Sequence, residues 1–167
     1  LDPDPAGQPG DLSLREAISL ANTTNGVDEI VFESGLTGTV GLDATLGQLE
    51  ITEDVTIVGL GRDHTLIDAQ GNSRVIDVTT GGGDLTLRGL TITGGRLSGE
   101  DEVGGGIRFQ SPGTLAIQQS TVTDNATSGL AAVGGGIHAV SGDVELTDSI
   151  LSANSTGGQF SGGGGIW

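Results

Sequence analysis

The chain lacks several residue types, one of which would support a disulfide or a thiolate metal site, and it lacks the long apolar run of a membrane span. Its 167 residues include no Cys, Met, Tyr or Lys, and only four aromatic side chains. Without cysteine the chain has neither disulfides nor thiolate metal sites. No apolar run approaches the roughly 20 residues of a membrane-spanning helix. We therefore expect no membrane insertion within this segment.

Positive charge is also scarce. Six Arg stand against 22 acidic residues, which gives a formal net charge of −16. Nucleic-acid binders need basic side chains to displace counterions from phosphates, so the charge excludes that class of protein and we expect no nucleic-acid partner. The six Arg are scattered along the sequence. For that reason we also expect no cationic trough for anionic sugars.

Glycine, in contrast, is abundant, and part of it marks an internal repeat. A Gly-Gly-Gly-Ile run begins at three positions, with spacings of 30 and 29 residues: Gly104, Gly134 and Gly163. Short apolar segments keep the same step and begin at Val55, Leu85, Leu115 and Val144. Two markers in phase indicate about four turns of one structural unit.

The apolar residues within each unit alternate with polar ones, which is typical of strands with one buried face. Subtracting one period places Leu87 over Ile57 and Ile117. The sequence thus predicts an all-β, single-stranded parallel β-helix, a β-solenoid of about 30 residues and three strands per coil. Asn125 and Asn154 recur at one phase, and we expect them at left-handed corners, bonded to the next coil.

One segment has a helical period instead. Leu14, Ala17, Ile18 and Ala21 lie on one helical face, and Ser13 with Glu16 forms a capping box. A helix here would cover the exposed end of the solenoid core. We therefore predict an N-terminal tether and capping helix over 1–26 and a parallel β-helix over 27–167. The sequence stops one strand into a new unit, so we expect a β-helix truncated at its C-terminal end.

Several of these segments carry a family resemblance. The motif Ser-Leu-Arg-Glu-Ala at 13–17, the strand-like segments at 30–32, 55–58 and 66–68, and the Gly-Gly-Gly-Ile turns resemble the surface proteins of bacteria and archaea that share a Cys-Ser-Leu-Arg-Glu-Ala (CSLREA) motif. Leu12 stands where that family has its Cys. The resemblance implies a pectate-lyase-like right-handed parallel β-helix and a secreted or surface-anchored location.

The richest polar cluster in the sequence surrounds one predicted corner and the strands after it. It comprises Arg62, Asp63, His64, Asp68, Arg74 and Asp77. Carboxylates near a base suit acid–base cleavage of polysaccharides, so these residues, above all Asp63, His64, Asp68 and Asp77, are the catalytic candidates if the chain is an enzyme. The alternative interpretation is structural, because Asp also bends and caps backbone at turns.

A second polar run offers oxygen ligands. Glu100, Asp101 and Glu102, together with Asp2 and Asp4, are candidate calcium ligands, although a run of charges is also typical of a solvated surface. No other cofactor is indicated. Phe109 and Phe160 are interpreted as core or corner residues and not as a platform for sugar stacking.

The sequence therefore favours a non-enzymatic module, located outside the cell or at its surface, which acts as a structural stalk or adhesin-like binding scaffold. Its expected partners are surface proteins or glycans. A polysaccharide lyase or hydrolase is the first alternative. The second is a self-assembling solenoid or fibre subunit that associates with further coils at its C-terminal end.

Overall fold

The computed structural model describes residues 12–167. The predicted tether, with Asp2 and Asp4, lies outside the described residues. One helix, α1, spans Leu14–Ala21. Seventeen short strands follow it in chain order: β1 Asp28–Val31, β2 Gly38–Gly41, β3 Leu49–Ile51, β4 Val55–Val58, β5 Thr65–Asp68, β6 Ile76–Val78, β7 Leu85–Arg88, β8 Thr91–Thr93, β9 Arg96–Leu97, β10 Ile107–Phe109, β11 Thr114–Gln118, β12 Thr121–Thr123, β13 Ala126–Ser128, β14 Ile137–Ala139, β15 Asp143–Thr147, β16 Ile150–Ser152 and β17 Ser155–Gly157.

These strands stack into parallel sheets that form the walls of a solenoid. Sheet A contains β1, β4, β7, β11 and β15; sheet B contains β2, β5, β8, β12 and β16; sheet C contains β3, β6, β10 and β14. Every strand pairs in parallel with its equivalents in the neighbouring coils. The predicted β-solenoid is thus confirmed, with about four turns of roughly 29 residues each.

The predicted stacking register is also confirmed. Leu87 pairs with Ile57 on one side and with Ile117 on the other. In sheet B, Ile92 pairs with Val122, which pairs in turn with Leu151. Ile57, Leu87, Ile92, Ile117 and Val122 are fully buried. The narrow core is therefore built from columns of aliphatic side chains that repeat once per coil.

The structure adds one wall that the sequence pattern did not predict. From the third coil onward a short fourth strand follows sheet B, and β9, β13 and β17 form sheet D. These strands have only two or three residues, which is too short for an alternating pattern to stand out from the corners around it.

The corner asparagines behave partly as predicted. Asn125 donates from Nδ2 to Oδ1 of Asn154 in the next coil, at 3.0 Å. However, the left-handed backbone falls one residue earlier, at Asp124 and Ala153. The corner bends at that residue, so the asparagine that follows it points into the solenoid, where Asn125 is fully buried.

Helix α1 begins at the predicted capping box. The Ser13 hydroxyl accepts from the Glu16 backbone N–H, while the Glu16 carboxylate accepts from the Ser13 N–H at 2.9 Å. Hydrogen bonds from Ser13 lower the pKa of Glu16. Leu14, Ile18 and Ala21 are buried, and the helix packs on β1 and β3. It thus lies against the first strands of two walls.

The side chain of Asn22 continues this contact at the edge of sheet C. Its Nδ2 donates to the Glu50 carbonyl and its Oδ1 accepts from the Thr52 N–H, both at 2.9 Å. A neighbouring parallel strand would bond the same two backbone groups through the N–H and C=O of one residue. The Asn22 amide therefore takes the place of a missing coil.

Candidate functional site

The main polar cluster of the structure lies on the outer face of sheet C. Its strands place four side chains in register, one from each coil: Glu50, Asp77, Arg108 and His138. Trp167 continues the row, since its backbone bonds to Ile137 and Ala139 on either side of His138. Residues spread over more than 100 positions of sequence thus meet on one face.

Asp77 and Arg108 form the centre of this row. The Arg108 guanidinium donates from Nε to Asp77 Oδ1 at 2.7 Å and from Nη2 to Oδ2 at 2.5 Å. Gln48 adds a third bond, from Nε2 to Asp77 Oδ2 at 2.9 Å. The Asp77 side chain is only 4% exposed. This bidentate pair raises the pKa of Arg108. Both carboxylate oxygens of Asp77 accept hydrogen bonds.

Arg74 lies behind this pair and is buried as well. Its Nη1 donates to Gln48 Oε1 at 2.6 Å, and its Nε donates to the Gly104 carbonyl at 2.8 Å. Burial, and then the charge of Arg108, lower the pKa of Arg74, while Asp77 and Glu102 oppose the shift. The guanidinium thus joins the second coil to the Gly-Gly-Gly-Ile turn that begins at Gly104.

Glycine makes that turn possible. Gly104 has a φ of +64°, and a Cβ there would lie 2.4 Å from the Ile107 carbonyl oxygen. Gly134 and Gly163 repeat this conformation, with φ near +61° and +62°. The Gly-Gly-Gly-Ile runs therefore let the chain fold closely just before three residues of the sheet C row, Arg108, His138 and Trp167.

His138 is the residue of this row that has a buried side-chain nitrogen, Nδ1, without a hydrogen-bond partner among the described residues. Burial lowers the pKa of His138, and the charges of Arg108 and Arg74 lower it further. All three causes favour the neutral imidazole. A neutral imidazole has a ring nitrogen that can accept a proton, which is the chemistry of a general base, although the two guanidiniums oppose the resulting positive charge.

The structure separates most of the predicted catalytic candidates. Asp63 and His64 are exposed in the corner between β4 and β5. Asp68 belongs to sheet B, where its Oδ1 accepts from the Gln70 N–H at 2.7 Å. Asp77 lies on sheet C. The structure therefore does not bring Asp77 together with Asp63 and Asp68 in one acidic groove.

The candidate calcium ligands lie in the turn between β9 and β10. Glu100 and Asp101 are exposed, and Glu102 lies 3.6 Å from Arg74 Nη2. Within residues 12–167 no group of three or more His, Asp or Glu side chains is placed to hold a metal ion.

Phe109 and Phe160 differ in burial. Phe109 is fully buried, as the interpretation of a core residue requires. Phe160 lies at a corner with a φ of 66° and is 80% exposed. It therefore does not fill the core.

Sequence reasoning found Arg74 and Asp77 but missed Gln48, Arg108 and His138 as members of the same cluster. The signal was present, because Asp77, Arg108 and His138 follow one another at about the repeat length. Reading the charged residues by their phase in the repeat, and not by their distance along the chain, would have placed them on one face.

Comparison of the chain with protein-family models, with curated proteins and with solved structures found no match. In the part of the chain that the structure describes, α1 falls well short of the length that a membrane-spanning helix needs.

Proposed function

We propose that this chain is a non-catalytic β-solenoid module, located outside the cell or at its surface, which acts as a structural stalk or adhesin-like binding scaffold. One observation carries the proposal: the charged side chains at the centre of the sheet C row hold neighbouring coils together. Asp77 and Arg108 join the second and third coils through a bidentate pair. A carboxylate bound in this way is a poor acid or base.

Other polar side chains have the same role along the walls. The Asp84 N–H donates to Asp54 Oδ1 and the Thr114 N–H donates to Asp84 Oδ1, both at 2.7 Å. Each bond links one coil to the next, at separations of 30 residues. Side chains that bridge coils stiffen the stack, which suits a spacer that must keep its shape.

The proposed location rests on the resemblance to the CSLREA surface proteins and their pectate-lyase-like β-helix. The motif that carries it, at 13–17, forms the N-cap and first turns of α1. A net charge of −16 also fits an exposed rod, because self-repulsion opposes edge-to-edge association of parallel strands.

A second candidate function is a polysaccharide-active enzyme, and His138 favours it. A buried nitrogen without a partner is uncommon in a structural cluster, and a neutral imidazole beside Arg108 has the character of a catalytic base. In this candidate Arg108 would orient an anionic substrate and His138 would remove a proton.

One assay separates the two functions. The chain is incubated with a panel of neutral and acidic polysaccharides, with and without calcium, and both retention of polymer and release of new chain ends are measured. The scaffold predicts retention of polymer at most, without new ends. Release of ends that His138→Ala abolishes, and that the matched variant His64→Ala leaves unchanged, would establish the enzyme instead.

A further inference from the structure

The corner between sheets A and B is enlarged in the first two coils. Six residues separate the strands there, at 32–37 and at 59–64, whereas only two residues form the same corner in the next three coils, at 89–90, 119–120 and 148–149. Insertions into a repeat array stand out from the stack and often lie on its binding face.

The second of these corners, at 59–64, is held against the coils that follow it. The Gly61 N–H donates to the Gly89 carbonyl at 2.8 Å, and the Thr91 hydroxyl donates to the Arg62 carbonyl at 2.7 Å. The Arg62 guanidinium reaches further and donates from Nη2 to the Asp148 carbonyl. One loop thus spans the corners of several coils and has a fixed position.

A depression of about 480 Å³ lies between this loop and the stacked corners. Leu60 and Arg62 line one side, while Arg88, Gln119 and Asp148 line the other. The depression is open to solvent, so one group of a larger ligand can lie in it while the rest of the ligand stays outside.

Two of the six arginines of the chain line this depression. Arg88 donates from Nε to Gln118 Oε1 at 3.1 Å, and Arg62 bonds to a carbonyl. Within residues 12–167 neither of them forms an ion pair with a carboxylate, although the chain has 22 acidic residues. Both guanidiniums therefore have donors left for an oxyanion. The expectation of no cationic trough for anionic sugars stays a prediction, but folding does place Arg62 and Arg88 along one depression, although they are 26 residues apart in the sequence.

We infer that this depression, the Arg62–Arg88 site, binds the anionic substituent of a glycan. The inference rests on the proposed function, since it names the ligand class and the binding face of the scaffold. A net charge of −16 repels densely charged polymers. Asp148 also lines the depression and opposes an anion there. A single carboxylate or sulfate flanked by neutral hydroxylated rings meets the two guanidiniums with less repulsion than an acidic peptide or a polyphosphate does.

The test is a calorimetric titration of the full chain with three oligosaccharides of equal length: one containing uronic acid units, one sulfated and one neutral. We expect binding of at least one anionic oligosaccharide and much weaker binding of the neutral one. Arg88→Gln is expected to weaken binding at least tenfold, and the double variant Arg62→Gln/Arg88→Gln to abolish it.

Arg96→Gln is the matched control, because Arg96 is exposed, bonds only to carbonyls and lies outside the depression. It is expected to bind as the parent does. Arg88 projects from a strand into solvent, so its variant keeps the stack even if loss of the Arg62 contact loosens the loop. Thermal unfolding of each variant checks this.

The outcomes separate the site from the function. Three results would overturn the Arg62–Arg88 site: equal affinity for neutral and anionic oligosaccharides, no binding of any of them, or equal losses of affinity in the Arg88 and Arg96 variants. None of these results would contradict the proposed scaffold function. Binding that depends on Arg88 but is accompanied by cleavage would support the site and overturn the non-catalytic function.

Discussion

At the scale of single residues, two corners of the coil follow the same rule. The residue that bends the chain has a positive φ, as Gln119 does at one corner and Asp124 at the other. The residue after it points inward and bonds backbone groups of its own and neighbouring coils. Ser120 fills this place at the first corner and Asn125 at the second. Small polar side chains thus supply the hydrogen bonds that a turn in a packed core leaves open.

Asn125 gives the sharpest test of this rule. Its Oδ1 accepts from the Gly95 N–H at 2.9 Å and its Nδ2 donates to the Thr123 carbonyl at 2.9 Å. Asn125→Ala leaves these buried groups unpaired, so we expect a loss of about 3 kcal/mol in the free energy of unfolding, measured by denaturant titration. Asn72→Ala, at an exposed position, is expected to change little. Equal effects of the two variants would contradict the rule.

His138 makes stability depend on pH in a defined direction. Its pKa in the folded chain is lowered, so the unfolded chain takes up a proton first as the pH falls. Its contribution is complete above the ordinary histidine pKa of about 6.5 and is lost as the pH drops through and below that value. Thermal unfolding between pH 8 and 5 should show this loss.

His138→Gln is expected to remove that part of the pH dependence, whereas His64→Gln, the same change at an exposed site, keeps it. An unchanged profile in the His138 variant would mean that the imidazole is not held neutral by its surroundings.

Prediction from sequence was strongest where a residue repeats in phase. The columns through Leu87 and Ile92 followed from the period alone, because each inward position must fit its own equivalent in the next coil. The position of Arg62 and Arg88 along one depression was not predictable in this way. It depends on a corner of irregular length whose path is set by tertiary contacts such as the Thr91–Arg62 bond.

At the scale of elements, α1 joins the stack through polar groups as well as its apolar face. Arg15 donates from Nη2 to the Gly47 carbonyl at 2.7 Å and from Nη1 to the Gln48 carbonyl at 2.9 Å. Gln48 in turn bonds to Arg74 and Asp77. The helix is thereby connected to the sheet C cluster through one residue.

The capping role of α1 depends on Asn22, which bonds the outer edge of β3. Asn22→Ala is expected to expose the Thr52 amide, whose hydrogen exchange should accelerate at least tenfold, and to lower the free energy of unfolding by about 1 kcal/mol. Asn25→Ala, an exposed residue just after the helix, is the control. Unchanged protection of Thr52 in the Asn22 variant would show that the amide does not replace a strand.

At the scale of the whole molecule, coil-to-coil contacts dominate. Each strand pairs with its equivalents one coil away, and the polar bridges of sheets A and C follow the same direction. The helix at one end and the long corners at 32–37 and 59–64 depart from this repetition. The helix covers the core at the beginning of the stack, and the corner at 59–64 creates the proposed Arg62–Arg88 site.

The stack can be measured directly, because a chain without cysteine accepts spin labels at chosen sites. Glu29 and Glu145 are exposed and belong to one outward row of sheet A, with Thr56 one coil after Glu29 in that row. Parallel strands lie about 4.8 Å apart, so the labelled backbones of Glu29→Cys/Glu145→Cys should be about 19 Å apart, and those of Thr56→Cys/Glu145→Cys about 5 Å closer. Equal distances for the two pairs, or a distance above about 30 Å for the first, would contradict a parallel solenoid in this register.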